Sequence, residues 1–155
     1  MKIPLDAALR ATGAALIDGE SAPGTLRVCA DTRTLELGDT FLALRGERHD
    51  GHDFVAEAVR CGAAMLVLER QVPEARGTPT MLVGDGLNAY MALARCARRL
   101  FRGRVVGITG STGKTTTKTF LAQLLAARYG DRVLVAPGNE NNEIGVSKLL
   151  LRASN

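Results

Sequence analysis

The stretch "RVVGITGSTGKTTTK", residues 104–118, decides the fold. Val105, Val106 and Ile108 form a short apolar run after Gly103, which predicts a buried strand. The residues that follow are mostly glycine and threonine, a poor composition for a helix interior. From about Thr115 to Tyr129 the pattern changes again. Phe120, Leu121, Leu124 and Leu125 share one helical face, and Gly130 follows in the position of a helix stop. Strand, glycine turn and helix start form the setting in which backbone N–H groups converge on a phosphate.

Each residue of that turn has a chemical use. Gly110 and Gly113 let the backbone bend so that the amides around Ser111 and Thr112 point inward at an anion. The helix that opens at Lys114 adds unpaired N–H groups and the positive end of its dipole. Lys114 brings a full mobile charge to the β and γ phosphates of ATP. Thr115 offers a hydroxyl to Mg²⁺, and Thr116 extends the cradle. The strict pattern G-x-x-x-x-G-K-[ST] is not met, because Ile108 stands where its first glycine belongs. Gly107 widens the spacing to five. The ATP assignment therefore rests on the flanking strand and helix as much as on the motif.

Outside this stretch, "RVLVA", residues 132–136, predicts a second strand, and "PGNENNEIG", residues 137–145, a loop leading into a final short helix. Strand, helix and strand predict a parallel βαβ unit with a right-handed crossover. Before it, "TLRVCA", "GDTFLAL", "AMLVLE" and "TMLVG" read as strands and "DFVAEAVRCG" as a helix. The loop "QVPEARGTP" separates the last two strands. The expected fold class is α/β: a small N-terminal α/β domain over residues 1–84, then the start of a parallel-sheet phosphate-loop domain over residues 85–155.

Composition narrows the function classes. The chain has 155 residues, 46% of them hydrophobic, with 4% aromatic residues and no Trp, so the core is built from Ala, Leu and Val. No apolar run approaches the roughly 18 residues that span a bilayer. The start, "MKIPLDAALRATG", does not read as a signal peptide, so a cytoplasmic location and no membrane partner are expected. Cys29, Cys61 and Cys96 are widely spaced and odd in number, which argues against a zinc site or a disulfide framework and for small buried thiols. The net charge is +4, with Arg95, Arg98, Arg99, Arg102 and Arg104 gathered in "RCARRLFRGR". Tyr90, Leu93, Ala94, Ala97, Leu100 and Phe101 form an apolar stripe opposite them. The arginines therefore read as the wet face of an amphipathic helix, and no nucleic-acid partner is expected.

The five-residue spacing resembles the loop of the Mur ligase family, G-x-T-G-[ST]-x-G-K-[ST]-[ST], which Gly107–Thr116 match at every fixed position. "DTRTLELGDTFLALRGERHDGHDF", residues 31–54, resembles the N-terminal nucleotide-sugar domain of the third- and fourth-step ligases. "GNENNEIGV", residues 138–146, resembles the fourth-step enzyme. These enzymes build the peptide stem of bacterial peptidoglycan. The resemblance implies that ATP phosphorylates the terminal carboxylate of UDP-MurNAc-tripeptide and that the amine of D-Ala-D-Ala attacks the acyl phosphate. It implies substrate contacts at Asp31, Thr32, Arg33, His52, Asn139, Asn141 and Asn142, and Mg²⁺ on Thr115. Arg33 reads equally as a structural ion pair. The "DGHD" element, residues 50–53, reads as a turn into a helix with Asp53 as N-cap rather than as a metal site. Ser147-Lys148 departs from the fourth-step pattern, where Pro-Leu-Thr is common.

A Mur ligase has three domains, and this chain corresponds to the first and part of the second. The expectations are therefore an inactive fragment of a ligase of the fourth step or the third, or a non-catalytic nucleotide- and UDP-sugar-binding module or relic. Two strands are too few for a phosphate-loop sheet, so the second half is expected to expose apolar faces and to self-associate.

Overall fold

A computed structural model describes residues 1–46, 49–138 and 142–153. The chain opens with β1 (Ile3–Pro4), α1 (Leu5–Thr12), β2 (Ala15–Ile17), β3 (Thr25–Leu26), β4 (Val28–Cys29) and β5 (Thr40–Leu42). It continues with α2 (Val55–Arg60), β6 (Met65–Leu68), β7 (Thr80–Leu82), α3 (Gly86–Leu100), α4 (Lys114–Tyr129) and α5 (Glu143–Arg152). Strands β4, β5, β6 and β7 run parallel, and β2 adds antiparallel to β7, giving the order β2-β7-β6-β5-β4. A separate antiparallel pair joins β1 to β3. The α/β class is as the sequence predicts, but the parallel sheet lies within residues 28–82 and not in the second half, where the sequence places it.

The central strands are buried on both faces, and their side chains alternate accordingly. Leu42, Met65, Val67 and Met81 point to one face, where Leu93, Ala94 and Ala97 of α3, Ala8 of α1 and Leu151 of α5 meet them. Phe41, Leu66 and Leu68 point to the other, against Val55 and Ala58 of α2 and Ala75. Each fully buried Leu or Met contributes about 1.5–3 kcal/mol relative to its exposed state. In α3, Arg95, Arg98 and Arg99 lie on the exposed side of the helix, as the apolar stripe requires. Asp85 caps α3 by accepting from the Asn88 N–H at 2.7 Å.

Residues 1–17 carry three elements, β1, α1 and β2, that the pattern alone does not mark. Helix α1 buries only Ala8 and is closed by Gly13 at φ 65°, whose N–H donates to the Leu9 carbonyl. The exposed Arg10–Asp6 pair spans one turn. An eight-residue helix with one buried side chain leaves a weak periodic signal.

The second half departs from expectation. Residues 105–108 and 132–136 do not form strands, and among the described residues no strand follows β7. Val105 and Val106 are 53% and 61% exposed, and Leu134 and Val135 are 44% and 38% exposed. The predicted parallel βαβ pair is thus absent. The physical reason is coverage: a parallel ladder persists when both faces are packed, and α4 buries none of its residues, leaving Phe120 and Leu124 open to water. The α4 helix itself forms where predicted, with Gly130 at φ 58° donating its N–H to Ala126 at the stop. Helix α5 docks through Leu151 into the core of the first half, and the Met1 ammonium donates to the Leu151 carbonyl at 2.9 Å.

The expectation of buried thiols is also corrected. Cys61 is exposed and Cys29 and Cys96 are half-buried, all three as free thiols, because Cys61 caps the end of α2, Cys29 lies on the edge strand β4, and Cys96 lies beside the buried stripe of α3 instead of within it. No helix is long and apolar enough to cross a membrane among the described residues.

Leu93 is completely buried at the centre of the larger core, so Leu93→Ala lowers unfolding free energy by about 3 kcal/mol. Arg95→Ala on the opposite face changes it by less than about 0.5 kcal/mol. Urea denaturation of the two variants checks the assignment, and similar losses would contradict the stated orientation of α3.

Candidate functional site

Two groups of candidate residues are held by different parts of the fold. The first is the glycine turn ahead of α4. Gly110 has φ 152° and Gly113 φ 77°. The latter value is one that side-chain-bearing residues rarely adopt. Gly113 is the N-cap of α4 and supplies no capping side chain, while its carbonyl accepts from the Thr117 N–H at 2.9 Å. The first-turn N–H groups of Lys114, Thr115 and Thr116 thus face the turn at the positive end of the helix dipole. Lys114 folds back over the turn, its ammonium donating to the Gly110 carbonyl and, at 3.5 Å, to the Ser111 carbonyl. Those carbonyls hold the cation where an anion entering the turn would meet it. Ser111, Thr112, Thr115 and Thr116 are exposed, so their hydroxyls are accessible to a ligand or a hard cation.

The second group lies along the C-terminal edge of the parallel sheet, where the crossover loops converge and where ligands bind in open α/β sheets. After β4, Asp31 accepts the Arg33 N–H at 3.1 Å and pairs with the Arg33 guanidinium through two contacts of 2.8 and 2.7 Å. The Arg33 side chain is 85% exposed. That pairing, above all the guanidinium hydrogen bond, holds the Asp31 carboxyl below the usual range. The Thr32 hydroxyl donates to Glu57 of α2 at 3.2 Å.

After β5, the loop is fastened by a chain of polar contacts. The Asp50 carboxylate accepts the His52 backbone N–H at 2.9 Å and contacts its Nδ1 at 2.7 Å, while Arg70 approaches at 3.0 Å. These partners, led by the His52 backbone N–H, hold the Asp50 carboxyl well below the usual carboxylate range. The Nε2 atom of His52 accepts the Glu69 N–H at 3.1 Å, which requires that the proton of the neutral ring sit on Nδ1, facing Asp50. The Glu69 carboxylate in turn accepts the Gly86 N–H at 2.6 Å at the start of α3. Gly51 is needed for closeness: a Cβ there would lie 2.6 Å from the Leu44 nitrogen. This chain links the loops after β5, β6 and β7.

Two expectations change here. The capping aspartate is Asp50, not Asp53, because the first turn after residue 50 is a 3₁₀ turn that Asp50 closes before α2 begins. His52 is buried with both ring nitrogens engaged, so it fixes the loop from within. An open cleft of about 320 Å³ lies beside it, lined by Asp53, Ala56, Arg70, Val72 and Glu74. Glu57, Glu69 and Arg70 belong to this edge, and no short motif marks them because their partners lie 17–25 residues away in sequence. Among the described residues, no three His, Cys, Asp or Glu side chains are grouped for a metal ion.

Asn142 caps α5 by accepting the Gly145 N–H at 2.8 Å. Asn139 and Asn141 lie outside the described residues. One turn along α4 from Lys114, Lys118 donates to the Ala136 and Gly138 carbonyls at 3.0 and 2.6 Å.

A parallel sheet packed on both faces, followed by a glycine turn at a helix start, is an arrangement that nucleotide-binding α/β proteins use. The model of the Mur ligase family catalytic domain matches residues 27–86, and that of the Mur ligase middle domain matches residues 108–155. The chain belongs to the Mur ligase family. Its relatives include the UDP-N-acetylmuramoyl-tripeptide–D-alanyl-D-alanine ligases of Synechocystis, 46% identical over 82% of this chain, and of Bacillus subtilis, 42% identical over 80%. Among solved structures, MurF from Acinetobacter baumannii superposes with a TM-score of 0.83 at 32% identity over 99% of this chain. MurF from Thermotoga maritima in complex with ADP superposes at 0.67 with 37% identity over 84% of it. The chain spans 28% and 27% of the lengths of the two curated relatives, and 34% and 30% of the two solved chains.

Because its folded-state pKa is lowered, Asp50 contributes stability that is fully present above the ordinary carboxylate range and is lost progressively as pH falls from that range toward the lowered folded-state value. Between about pH 5 and about pH 3 the native chain therefore loses stability more steeply than an Asp50→Asn variant. Denaturation midpoints measured across that range check this, and equal slopes would remove Asp50 from the fastening of the edge.

Proposed function

We propose that this chain is the UDP-sugar-binding and triphosphate-binding part of a MurF-type ligase. In such an enzyme ATP transfers its γ-phosphoryl group to the terminal carboxylate of UDP-MurNAc-tripeptide, forming an acyl phosphate and ADP. The amine of D-Ala-D-Ala then attacks the acyl carbon, and the tetrahedral intermediate collapses to the amide with loss of phosphate. The observation that carries the reading is the turn at residues 110–116, with Lys114 poised over it at the opening of α4. The named relatives and the ADP complex among the similar structures support it.

In this reading Gly110, Ser111, Thr112, Gly113, Lys114, Thr115 and Thr116 hold the triphosphate. Lys114 exchanges its two carbonyl partners for phosphate oxygens and stabilises charge as the phosphoryl group moves. The exposed hydroxyl of Thr115 suits Mg²⁺, a hard cation that takes oxygen ligands, and Mg²⁺ would neutralise the β and γ oxygens when bound. Residues 1–84 form the nucleotide-sugar unit and residues 85–155 open the ATP unit, with α3 packed on the first. Asp31, Thr32 and Arg33 present polar groups at the sheet edge for the UDP moiety. Arg33 is exposed enough to exchange Asp31 for a diphosphate. His52 positions that edge, and the family resemblance assigns Asn139, Asn141 and Asn142 as further substrate contacts. We place the chain in the cytoplasm, where the UDP-linked precursor and ATP coexist.

Binding without turnover is the expected behaviour of these 155 residues. Acyl phosphates need a site closed to water, and the segments flanking the phosphate turn are open. Calorimetry provides the test. Lys114→Ala reduces MgATP affinity below detection while UDP-sugar affinity stays unchanged. Equal nucleotide affinity in the two proteins would reject the role of Lys114. An ADP-release assay with all three substrates gives no turnover, and sustained release would overturn the binding-only account.

A further inference from the structure

The Thr32 hydroxyl has its hydrogen-bonding role set by a neighbour. Thr32 is half-buried in the turn after β4, and its Oγ1 donates to Glu57 Oε2 of α2 at 3.2 Å. A hydroxyl carries one proton and two lone pairs, whereas a carboxylate only accepts. The proton is therefore committed to Glu57, and the oxygen presents lone pairs alone to an arriving ligand. Such a group takes a donor and repels an acceptor. The charges of the turn are also divided. The Glu57 carboxylate beside Thr32 disfavours a phosphate there, while the Arg33 guanidinium, paired with Asp31 and 85% exposed, supplies a cation. Phe54, 43% exposed, precedes Glu57 by three residues, and side chains at that spacing are neighbours on a helical surface. Its ring gives a planar group an apolar face to lie on.

We propose that Glu57 is a positioning residue that makes Thr32 an obligate acceptor for the ring N3–H of uracil, and so sets the base specificity of the nucleotide-sugar site. The inference rests on the reading of Asp31, Thr32 and Arg33 as contacts of the UDP moiety. It adds which end of that moiety Thr32 reads, and why. Uracil carries a donor at N3, whereas cytosine has a bare acceptor there. A Thr32 hydroxyl free to rotate would serve either base. With its proton held by Glu57, the oxygen meets a cytosine N3 lone pair to lone pair, and both groups stay unpaired. A site built around a ligand N–H discriminates in this way against an analogue that lacks it.

Calorimetric titration of the 155-residue chain with UDP, CDP and N3-methyl-UDP tests the assignment. Wild type binds UDP roughly tenfold more tightly than either of the other two. In Glu57→Ala the hydroxyl is released, and the preference for UDP over CDP shrinks to about twofold. Thr32→Ser keeps the hydroxyl and the wild-type preference, whereas Thr32→Val loses it. Glu57→Gln keeps the packing but donates as well as accepts, so its preference falls between those of wild type and Glu57→Ala. It decides the matter if the alanine variant does not fold. A full wild-type preference in both Glu57 variants would overturn the role of Glu57. Equal affinity of wild type for UDP and N3-methyl-UDP would overturn the contact at N3 while the UDP reading stands. If UDP does not bind wild type at all, the reading of residues 31–33 fails and the base assignment falls with it.

Discussion

Burial of three adjacent parallel strands on both faces is the constraint on which the rest of the molecule depends. Phe41, Leu66 and Leu68 face α2, while Leu42, Met65, Val67 and Met81 face α1, α3 and α5. A one-residue slip in any of these strands would exchange its two faces and place side chains against the wrong helices. With register fixed, the crossover loops after β4, β5, β6 and β7 have one edge on which to emerge. The polar chain from Asp50 through His52 and Glu69 to Gly86 then locks three of them together. Apolar packing chooses the edge, and hydrogen bonds define its shape.

The same constraint explains what sequence reading could and could not reach. Runs such as 65–68 and 80–82 are apolar because both their faces are covered, so they read as strands and fold as strands. Val105, Val106, Leu134 and Val135 have the same composition, but strand formation also needs a neighbour and a cover, and neither is a property of a five-residue window. Among the described residues these segments find neither. Helix α4 forms nonetheless, since its hydrogen bonds are internal to it.

The candidate site divides in the same way. The proposed phosphate turn is legible in the sequence because its residues lie within about ten consecutive positions and it would work through backbone conformation. The sheet edge is legible only in part. The pairing of Arg33 with Asp31 is one of the two alternatives the sequence leaves open for that arginine. Asp50 rather than Asp53 closes the turn, a distinction that depends on a 3₁₀ start that no periodicity signals. Glu69 and Lys118 act through backbone groups distant in sequence, so their side-chain identities carried no cue. Distances in the folded chain assign them.

The central claim is that a nucleotide's phosphates are gripped by backbone amides at the opening of α4. At 16.4 kDa, the chain suits amide-resolved NMR during titration with MgADP. The account predicts that the largest shift changes fall on the amides of Gly110 through Thr116, with smaller ones beyond Lys118. Shift changes gathered instead on the loops after β4 and β5, with residues 110–116 unmoved, would contradict it.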